Sequence, residues 1–338
     1  MKKIIYIAVI LVLIVSCVYI YKRHQGNTLG FPIDIVYLWV DGSDEQWQKK
    51  KNYWQKELGI TEEYAVSEAR YRDREELKHS LRSVEQYMPW VRKIFIVTDN
   101  QVPKWLNVNH PKIKIVDHKD ILPADALPVF NSMAIETGIV NIEGLAEHFI
   151  YLNDDVFVNK PITPDYFFTK EGKPIFYNDS IGYFKLERSA AANPNEMWVK
   201  MDNFCYNLIK EKKVETHYLC NTHTAHIYCK TDLLNAMSVF KDEYNKTAHS
   251  KFRDLQDISL PLVYDVLYNQ NKIVVRDSWL IYEQCPFGIL VMTNIGDIDK
   301  LNPYFFCLND THDLPLKYVK KHTEILREKF PKKSSFEK

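Results

Sequence analysis

The sequence predicts an α/β fold in which helices flank a mostly parallel sheet, preceded by one membrane-spanning helix at the N-terminus. Short apolar runs of strand length alternate with segments of helical periodicity, which is the pattern of parallel β-α-β units. The chain has 338 residues, of which 46% are hydrophobic, so it can bury a full core. Alternation of this kind is typical of a Rossmann-like architecture.

The composition narrows the class of protein. Lys+Arg and Asp+Glu number 44 each, giving a net charge of +0. This balance argues against a nucleic-acid-binding protein that depends on bulk basic charge. The six cysteines are too few for a disulfide scaffold, and Cys220 and Cys229 form the one local pair to consider.

The N-terminus has the pattern of a membrane anchor. Two lysines precede an apolar run over residues 4–21, and a basic tripeptide follows it. About 18 apolar residues can just span a bilayer, so we predict an anchor over residues 1–24 and a linker over 25–32. A cleaved signal peptide and a lipoprotein cleavage site at residues 14–17 are the alternatives. Cations at both ends leave the orientation open.

Strands and helices alternate clearly in the first half of the chain. The strands are predicted at residues 33–40, 93–98, 112–116 and 148–152. Helices are predicted at residues 44–58, 68–87 and 132–140, with a turn and short helix at 103–106. Asp44 is a favourable N-cap for the first helix, and Pro89 stops the second. Leu77, Leu81 and Val84 recur there at helical spacing.

The pattern becomes less regular after Pro161. Helices are predicted at residues 195–211, 230–240, 258–268 and 316–330, and a strand at 272–276. No P-loop and no Gly-x-Gly-x-x-Gly sequence occurs among the 10 glycines. Phosphates are therefore not held by either of those loops.

Each strand of the first half runs into an aspartate, and these are Asp41, Asp99, Asp117 and Asp154. Ligands of open α/β sheets bind beyond the carboxyl ends of the strands, so this edge suggests a site for a metal ion and hydroxylated ligands. Capping and turn formation are the alternative, favoured for Asp99 and Asp117. Asp155 follows Asp154, and the two can converge only if the chain turns there.

Further candidates lie in the second half. His217, Cys220, His223, His226 and Cys229 recur every three residues. These are zinc-ligand types, but the spacing matches no tight zinc signature, and ordinary packing histidines are the alternative.

Two other positions carry groups suited to phosphate and metal chemistry. Arg253 can hold a phosphate through two parallel hydrogen bonds, although a solvated surface arginine is the simpler interpretation. Asn309-Asp310 follows an apolar run and repeats the Asn153-Asp154 pattern, so the two pairs could meet around one cation.

Four blocks of sequence in order carry a family resemblance. They are IDIVYLWVDGSD from residue 33, the segment from 70 to 158 with FNSMAIE and GLAEHFIYLNDDVFV, the segment from 223 to 268 with HTAHIY and SKFRDLQDIS, and FFCLND with the closing FPKKSSFEK. These blocks resemble the Stealth family. That family includes bacterial capsule-polymer phosphotransferases and the catalytic subunit of the animal enzyme that adds GlcNAc-1-phosphate to lysosomal glycoproteins.

The resemblance implies a nucleotide-sugar-transferase-like fold and a reaction dependent on Mg²⁺ or Mn²⁺. Sugar-1-phosphate would pass from a UDP-sugar to a hydroxyl of a glycan acceptor, forming a phosphodiester and releasing UMP. Residues 33–160 would bind nucleotide and metal, and residues 161–338 would supply acceptor binding and catalysis. The chain lacks the large inserted modules of the animal enzyme, which favours a bacterial role in capsule or surface polysaccharide synthesis.

The family motifs also imply roles for individual residues. They imply metal binding and catalysis at Asp154, Asp155 and Asp310, proton acceptance at His226 or His223, phosphate stabilisation at Arg253, and nucleotide contact at Trp39, Asp41 and Gly42. Arg72 and Ser132 match family positions on the donor side, and Glu136 matches a position without an assigned role.

Two other functions and two locations stay open at this point. A conventional glycosyltransferase would release UDP instead of UMP, and an inactive glycan-binding protein would release neither. Nucleotide sugars are made in the cytoplasm, so we expect the catalytic domain at the cytoplasmic face of a bacterial inner membrane. A eukaryotic enzyme would instead face the Golgi lumen.

Overall fold

The structure is a computed structural model, and the predicted anchor at residues 1–24 lies outside its described part. The described residues are 26, 28–178, 194–217, 219, 223–277, 287–291, 293–311 and 314–338. Within those ranges, no helix has the length and apolarity needed to cross a bilayer.

Three sheets are formed by the described strands. The strands are β1 (Ile33–Leu38), β2 (Ile94–Thr98), β3 (Ile113–Asp117), β4 (His148–Asn153), β5 (Val156–Val158), β6 (Ile175–Asn178), β7 (His226–Cys229), β8 (Val274–Asp277), β9 (Gly288–Val291) and β10 (Phe305–Leu308). The main sheet has the order β3-β2-β1-β4-β7, a second has β5-β10-β9, and a third has β6-β8. β1 to β4 are parallel and β7 is antiparallel to β4, which confirms the mostly parallel sheet.

Helices cover both faces of the main sheet. The α-helices of the described residues are α1 (Glu45–Glu57), α2 (Glu63–Val66), α3 (Glu76–Tyr87), α4 (Ser132–Glu136), α5 (Met197–Glu211), α6 (Lys230–Met237), α7 (Lys241–Ala248), α8 (Tyr264–Asn269), α9 (Gly296–Leu301) and α10 (Leu316–Lys329). Asp44 caps α1 as predicted, because its side chain accepts from the Trp47 N–H. The helix expected over 258–268 is shorter, since a 3-10 turn at Leu260–Val263 precedes α8.

The helix predicted from residue 68 is wrong in its first two turns. A 3-10 turn covers Glu68–Arg70, and α3 begins only at Glu76. Glu75 has a φ of 70°, a left-handed conformation that interrupts helical geometry. The intervening residues 71–75, which we call the arginine loop, pack against the end of β1 instead: the Gly42 N–H donates to the Tyr71 carbonyl at 2.8 Å.

Alternate side chains of the central strands enter two separate cores. Val36, Phe95 and Phe149 face the core covered by α6 and α8, whereas Ile35 and Ile96 face the core covered by α3. Strands buried on both faces are expected for the centre of a parallel sheet. β7 comes from the predicted second part of the chain yet completes the main sheet, so both predicted parts contribute to one structure.

Two serines of α3 hold β5 in place. Ser80 Oγ donates to the Val156 carbonyl at 2.6 Å, and the Val158 N–H donates to Ser83 Oγ at 3.0 Å. The Tyr37 hydroxyl lies 2.8 Å from Ser80 Oγ, and all three side chains are fully buried. The serines therefore satisfy backbone groups on the edge of β5 that faces away from β10. This fixes the chain immediately after Asp155.

The C-terminal segment closes the fold beside α3. Nε and Nη2 of Arg82 donate to the two carboxylate oxygens of Glu337, each at 2.8 Å. Arg82 also donates to the Phe330 carbonyl, and the Asn107 N–H donates to that of Phe336. Below this segment, α10 packs its buried side on β5 and β10.

Candidate functional site

Asp154 and Asp155 occupy the tight turn between β4 and β5. The chain leaves the main sheet at Asn153 and enters the second sheet at Val156. The chain therefore makes the turn that the two side chains need in order to converge. The strand end thus lies at the junction of two sheets, with both carboxylates partly buried.

The second sheet brings Asp310 beside Asp155. Cys307 pairs with Val156 in the antiparallel register, and the Leu308 N–H donates to the Asp155 carbonyl at 3.1 Å. Oδ1 of Asp155 and Oδ1 of Asp310 are both buried without a hydrogen-bond partner. Burial raises the pKa of Asp155 and the Asp310 charge adds to this, against the opposing effects of His223 and the Cys307 thiol.

Two residues of the arginine loop hold the other oxygen of Asp310. Its Oδ2 lies 3.5 Å from Arg72 Nε and 3.2 Å from Arg74 Nη2. Arg72, which the family motif assigns to the donor side, is thus oriented by an acidic residue of the site. The two guanidinium groups fix the Asp310 carboxylate and leave its Oδ1 facing inward.

A second acidic group surrounds Asp154. Burial, then Asp155, then Glu76 and Asp73, raise the pKa of Asp154 well above its usual value. Burial likewise raises the pKa of Glu76, the first residue of α3, to about 7. Asp73 accepts a hydrogen bond from Trp39 Nε1 at 3.2 Å. Asp73 and Glu76 were not predicted as site residues, because the sequence pattern places them inside a continuous helix.

The residues present fit a hard divalent cation in their chemistry. Two inward-facing carboxylate oxygens without partners are the type of ligand that Mg²⁺ and Mn²⁺ prefer. Within the described ranges, no three His, Cys, Asp or Glu side chains are already gathered closely enough to hold one ion. Any remaining ligands would have to come from substrate oxygens or water, as is usual for Mg²⁺.

Two arginines lie together on the other side of the site. Arg253 Nη2 donates to Ser132 Oγ at 2.9 Å, while the Nε atoms of Arg253 and Arg70 are both buried without a partner. Burial, together with the nearby Arg253 charge, lowers the pKa of Arg70 to about 10. Two partly buried cations side by side, with unused buried donors, are the expected form of an anion site. Arg70 was also not predicted as a site residue, because it too fell within the predicted helix.

A buried polar chain connects the arginines to the aspartate turn. The Tyr151 hydroxyl lies 3.1 Å from Glu136 Oε1 and 2.9 Å from Asn153 Oδ1. The Glu136 charge in turn acts on Arg253, where it opposes the lowering of the pKa by burial. Glu136 and Tyr151 therefore lie between Arg253 and the aspartate turn.

The two histidines differ in environment. His226 begins β7, is only 8% exposed, and stacks on Tyr151 with ring centroids 5.7 Å apart. Burial, followed by the neighbouring His223, lowers the pKa of His226 to about 3. His223 is exposed, and it lowers the pKa of Asp155 against the raising effect of burial. His223 thus lies between the aspartate turn and solvent.

The period-three row of histidines and cysteines does not gather in the described part of the chain. His217 Nε2 lies 2.6 Å from Asn269 Oδ1, and the Cys229 thiol donates to the Gly172 carbonyl at 3.2 Å. Cys229, the described member of the one local pair considered, is a free thiol. Cys220 itself lies outside the described residues.

The end of β1 supports the site through the backbone. Asp41 accepts hydrogen bonds from the Ser43 N–H and hydroxyl, at 2.9 and 2.6 Å. A Cβ on Gly42 would lie 2.2 Å from the Tyr71 carbonyl oxygen, so only glycine permits the arginine loop to approach. Trp39 is 6% exposed and packs in the core beneath Asp73.

The other two strand-end aspartates have structural partners, and for Asp117 this partner is a cap, as the alternative interpretation predicted. Asp99 forms an ion pair with Lys50 of α1. Asp117 caps the 3-10 turn His118–Asp120 in a capping box. Neither contributes to the group around Asp154.

Comparisons with known proteins found similar sequence regions and a similar solved structure. Models of three conserved regions of Stealth proteins match the chain: region 1 over residues 31–59, region 2 over 70–176 and region 3 over 222–268. A solved galactosyltransferase, LgtC with donor and acceptor sugar analogues, is similar with a TM-score of 0.41 and 13% identity, over 87% of this chain and 95% of that one.

Two curated relatives are similar over most of their length. A capsular polysaccharide phosphotransferase of Haemophilus influenzae is 34% identical, with 83% of this chain and 78% of the relative covered. An exopolysaccharide phosphotransferase of Lactiplantibacillus plantarum is 30% identical, with 91% of this chain and 97% of the relative covered. Both similarities extend beyond the segments that form the site, and the chain therefore belongs to the Stealth family.

Proposed function

We propose that this protein transfers sugar-1-phosphate from a UDP-sugar to a hydroxyl of a glycan in the synthesis of a capsule or another surface polysaccharide. The names of the curated relatives, which are capsular and exopolysaccharide phosphotransferases, support this reaction class. The geometry supports it independently, because cation-type and anion-type groups face one site.

The main support for the proposal is that unused hydrogen-bond donors and unused acceptors are both present. Arg70 and Arg253 present buried Nε–H groups without partners, while Asp155 and Asp310 present buried oxygens without partners. A diphosphate with a divalent cation satisfies both sets, since its oxygens accept from arginines and share the cation with carboxylates.

Asp155 and Asp310 would hold the Mg²⁺ or Mn²⁺, with Asp154 completing the acidic group. When bound, the ion would neutralise charge on the diphosphate of the donor. Arg253 and Arg70 would bind the phosphate oxygens that gain charge in the transition state. Arg72 and Arg74 would act on the reaction indirectly, by keeping Asp310 in its orientation.

His223 is the better placed of the two histidines to accept the proton. The acceptor oxygen would attack the β-phosphorus, the bond from that phosphorus to the bridging oxygen would break, and UMP would leave with the bonding pair. The proton of the acceptor hydroxyl would pass to His223, which is exposed beside Asp155. His226, with a pKa of about 3, is a weak base, and we assign it to positioning.

Contact of the nucleotide with the end of β1 stays a prediction. The interactions of Trp39 with Asp73 and of Gly42 with Tyr71 support an indirect role, in which both residues hold the arginine loop. Asp41 and Ser132 lie on the partly exposed rim of the site and are the better candidates for direct contact.

Product analysis tests the proposal. The full chain in detergent is incubated with a panel of UDP-sugars, Mg²⁺ or Mn²⁺, and oligosaccharide acceptors, and UMP and UDP are quantified. We expect UMP release that requires metal, falls by about 100-fold or more in Asp310→Asn, and is retained in Asp299→Asn. Asp299 is a matched control because it is exposed on α9.

Other outcomes have definite meanings. Release of UDP would show a conventional glycosyltransferase, which breaks the bond between sugar and phosphate. Release of neither nucleotide by a folded chain, across the panel, would favour a glycan-binding protein. Full activity of Asp310→Asn would reject the proposed metal site.

The location stays a proposal as well. The apolar run at residues 4–21 supports a membrane anchor, and the cytoplasmic supply of nucleotide sugars supports a catalytic domain on the cytoplasmic face of a bacterial inner membrane. Membrane fractionation followed by protease protection of the catalytic domain distinguishes this side from the other.

A further inference from the structure

The solvent-facing side of α10 carries a concentration of positive charge. α10 contains five Lys and Arg against two Glu, and Lys332 and Lys333 follow it, in a chain whose net charge is +0. Lys317, Lys320 and Lys321 are exposed in the first two turns, at the spacing that places them on one face. The opposite side of α10, with Ile325 and Leu326, is buried.

This lysine face adjoins the site. α10 begins six residues after Asp310, and its buried side packs on Phe157, Phe306 and Leu308 of the strands that bring Asp155 and Asp310 together. The pKa of Glu75 is lowered chiefly by Lys78 and in smaller part by Arg327, which places Arg327 of α10 near the arginine loop. The helix thus borders the site on the side of Asp310.

The product of the proposed reaction suggests what the lysine face binds. Each transfer leaves a phosphodiester with one negative charge, so a glycan extended by this chemistry is a polyanion. Lysines are flexible point charges that suit repeating phosphates without a fixed geometry. From Lys317 to Arg327 the helix is about 15 Å long, enough to contact more than one charge. Glu324, which lies 3.8 Å from Lys321, is the one acidic residue within this stretch.

We propose that the lysine face of α10 binds the anionic, phosphodiester-containing part of the acceptor glycan. This inference rests on the proposed function, since it takes the product of the reaction as the ligand. The face would hold the glycan close to the site and raise the local concentration of its acceptor end.

The test measures binding separately from catalysis. Labelled poly(glycerol phosphate) is the anionic probe, and uncharged dextran of similar length is its control. The triple variant Lys317→Gln, Lys320→Gln, Lys321→Gln is compared with Lys104→Gln, Lys200→Gln, Lys241→Gln, in which the lysines are equally exposed but lie elsewhere. All are full-length chains in detergent.

We expect the wild type and the control variant to bind poly(glycerol phosphate) but not dextran, with an affinity that falls as salt rises. The α10 variant should bind at least about tenfold more weakly, because it lacks three positive charges that attract the anionic probe. UMP release with a short uncharged acceptor should be unchanged, because none of the three lysines belongs to the site.

Three results would overturn the inference. They are equal binding by the α10 variant, equal binding of dextran, and binding of phosphatidylglycerol vesicles without binding of poly(glycerol phosphate), which would make the face a membrane contact. If UMP is released but the anionic probe is not bound, only this inference fails. If the probe is bound at α10 but no UMP is released, the proposed function fails instead.

Discussion

At the scale of single residues, Arg70 and Arg253 lie close enough to repel each other, and a bound anion would offset this repulsion. Like charges in a partly buried site repel, and burial with this repulsion lowers the pKa of Arg70 to about 10. Nη2 of Arg253 donates to the Ser132 hydroxyl, but Nε of Arg253 has no hydrogen-bond partner. The pair is therefore arranged for a ligand more than for stability of the free protein.

Arg70→Lys and Arg253→Lys should each lower kcat/KM for the donor by about 10- to 100-fold. A lysine keeps the charge but cannot form parallel hydrogen bonds, each worth about 1.5–3 kcal/mol when charged groups take part. Steady-state kinetics on purified variants measure the effect. The double variant should lose less than the product of the two, because both side chains act on one group.

Arg92→Lys is the matched control for this pair. Arg92 pairs with the buried Asp34 at the start of β1, at the edge of the sheet away from the aspartate turn. Its replacement should lower stability and leave donor kinetics unchanged. Equal kinetic losses in all three variants would show a general effect of losing a guanidinium group and would reject the anion site.

The sequence identified only part of this residue-level arrangement. Asp154, Asp155 and Asp310 could be predicted because each follows an apolar strand-like run, and the histidines and Arg253 because the family motifs include them. Arg70, Asp73 and Glu76 could not, since their spacing is compatible with a helix. Their placement depends on the left-handed conformation of Glu75, which periodicity cannot show.

At the scale of elements, the arginine loop depends on one position at the end of β1. Gly42→Ala should displace this loop, because the added Cβ would lie 2.2 Å from the Tyr71 carbonyl oxygen, closer than any real contact. We expect kcat/KM to fall by about tenfold or more and the melting temperature to drop by several degrees, as for other cases of overpacking. Kinetics and thermal unfolding measure both effects.

Gly296→Ala provides the comparison. In α9 a Cβ at Gly296 would meet nothing closer than 3.7 Å, and alanine is the better helix former. This variant should keep activity and stability. Wild-type kinetics in Gly42→Ala would mean that the loop can move without consequence for the site.

β1 to β4 of the main sheet and β8 of the two-stranded sheet were predictable, whereas β5 and β7 were not. β1 to β4 are long apolar runs with clear turn signals. β5 has only three residues, and β7 has four that begin at a histidine, so neither stands out from the sequence. Both are defined by partners far away in the chain, namely β10 for one and β4 for the other.

At the scale of the whole molecule, the contact between Arg82 and Glu337 attaches the end of the chain to α3. Burial alone would raise the pKa of Glu337, but the hydrogen bonds from Arg82 and Ser334 outweigh it and lower the pKa to about 2. The carboxylate therefore stabilises the fold fully above pH 4.5. This contribution is lost as the pH falls from 4.5 through 2.

Glu337→Gln should reduce the free energy of unfolding by about 2 kcal/mol at pH 7, from the loss of charged hydrogen bonds. The difference from wild type should shrink as the pH is lowered from 4.5 toward 2, where the wild-type carboxyl is also neutral. Urea denaturation at a series of pH values measures it. Glu328→Gln, at an exposed position of α10, should show no such difference. A gap between wild type and Glu337→Gln that is constant with pH would contradict the ion-pair explanation.

The pairing of β5 with β10 also determines when the protein acquires its site during synthesis. Residues 159–304 separate the two strands, so Asp310 is synthesised, and can join Asp155, only after most of the chain has been made. Contacts of such long sequence separation form late, because a large loop must first close, and the entropy lost on closing it opposes their formation. A nascent chain that has completed the main sheet still lacks half of the carboxylate pair. Enzymes truncated before β10 should consequently retain the first four strands and yet be unable to use the donor.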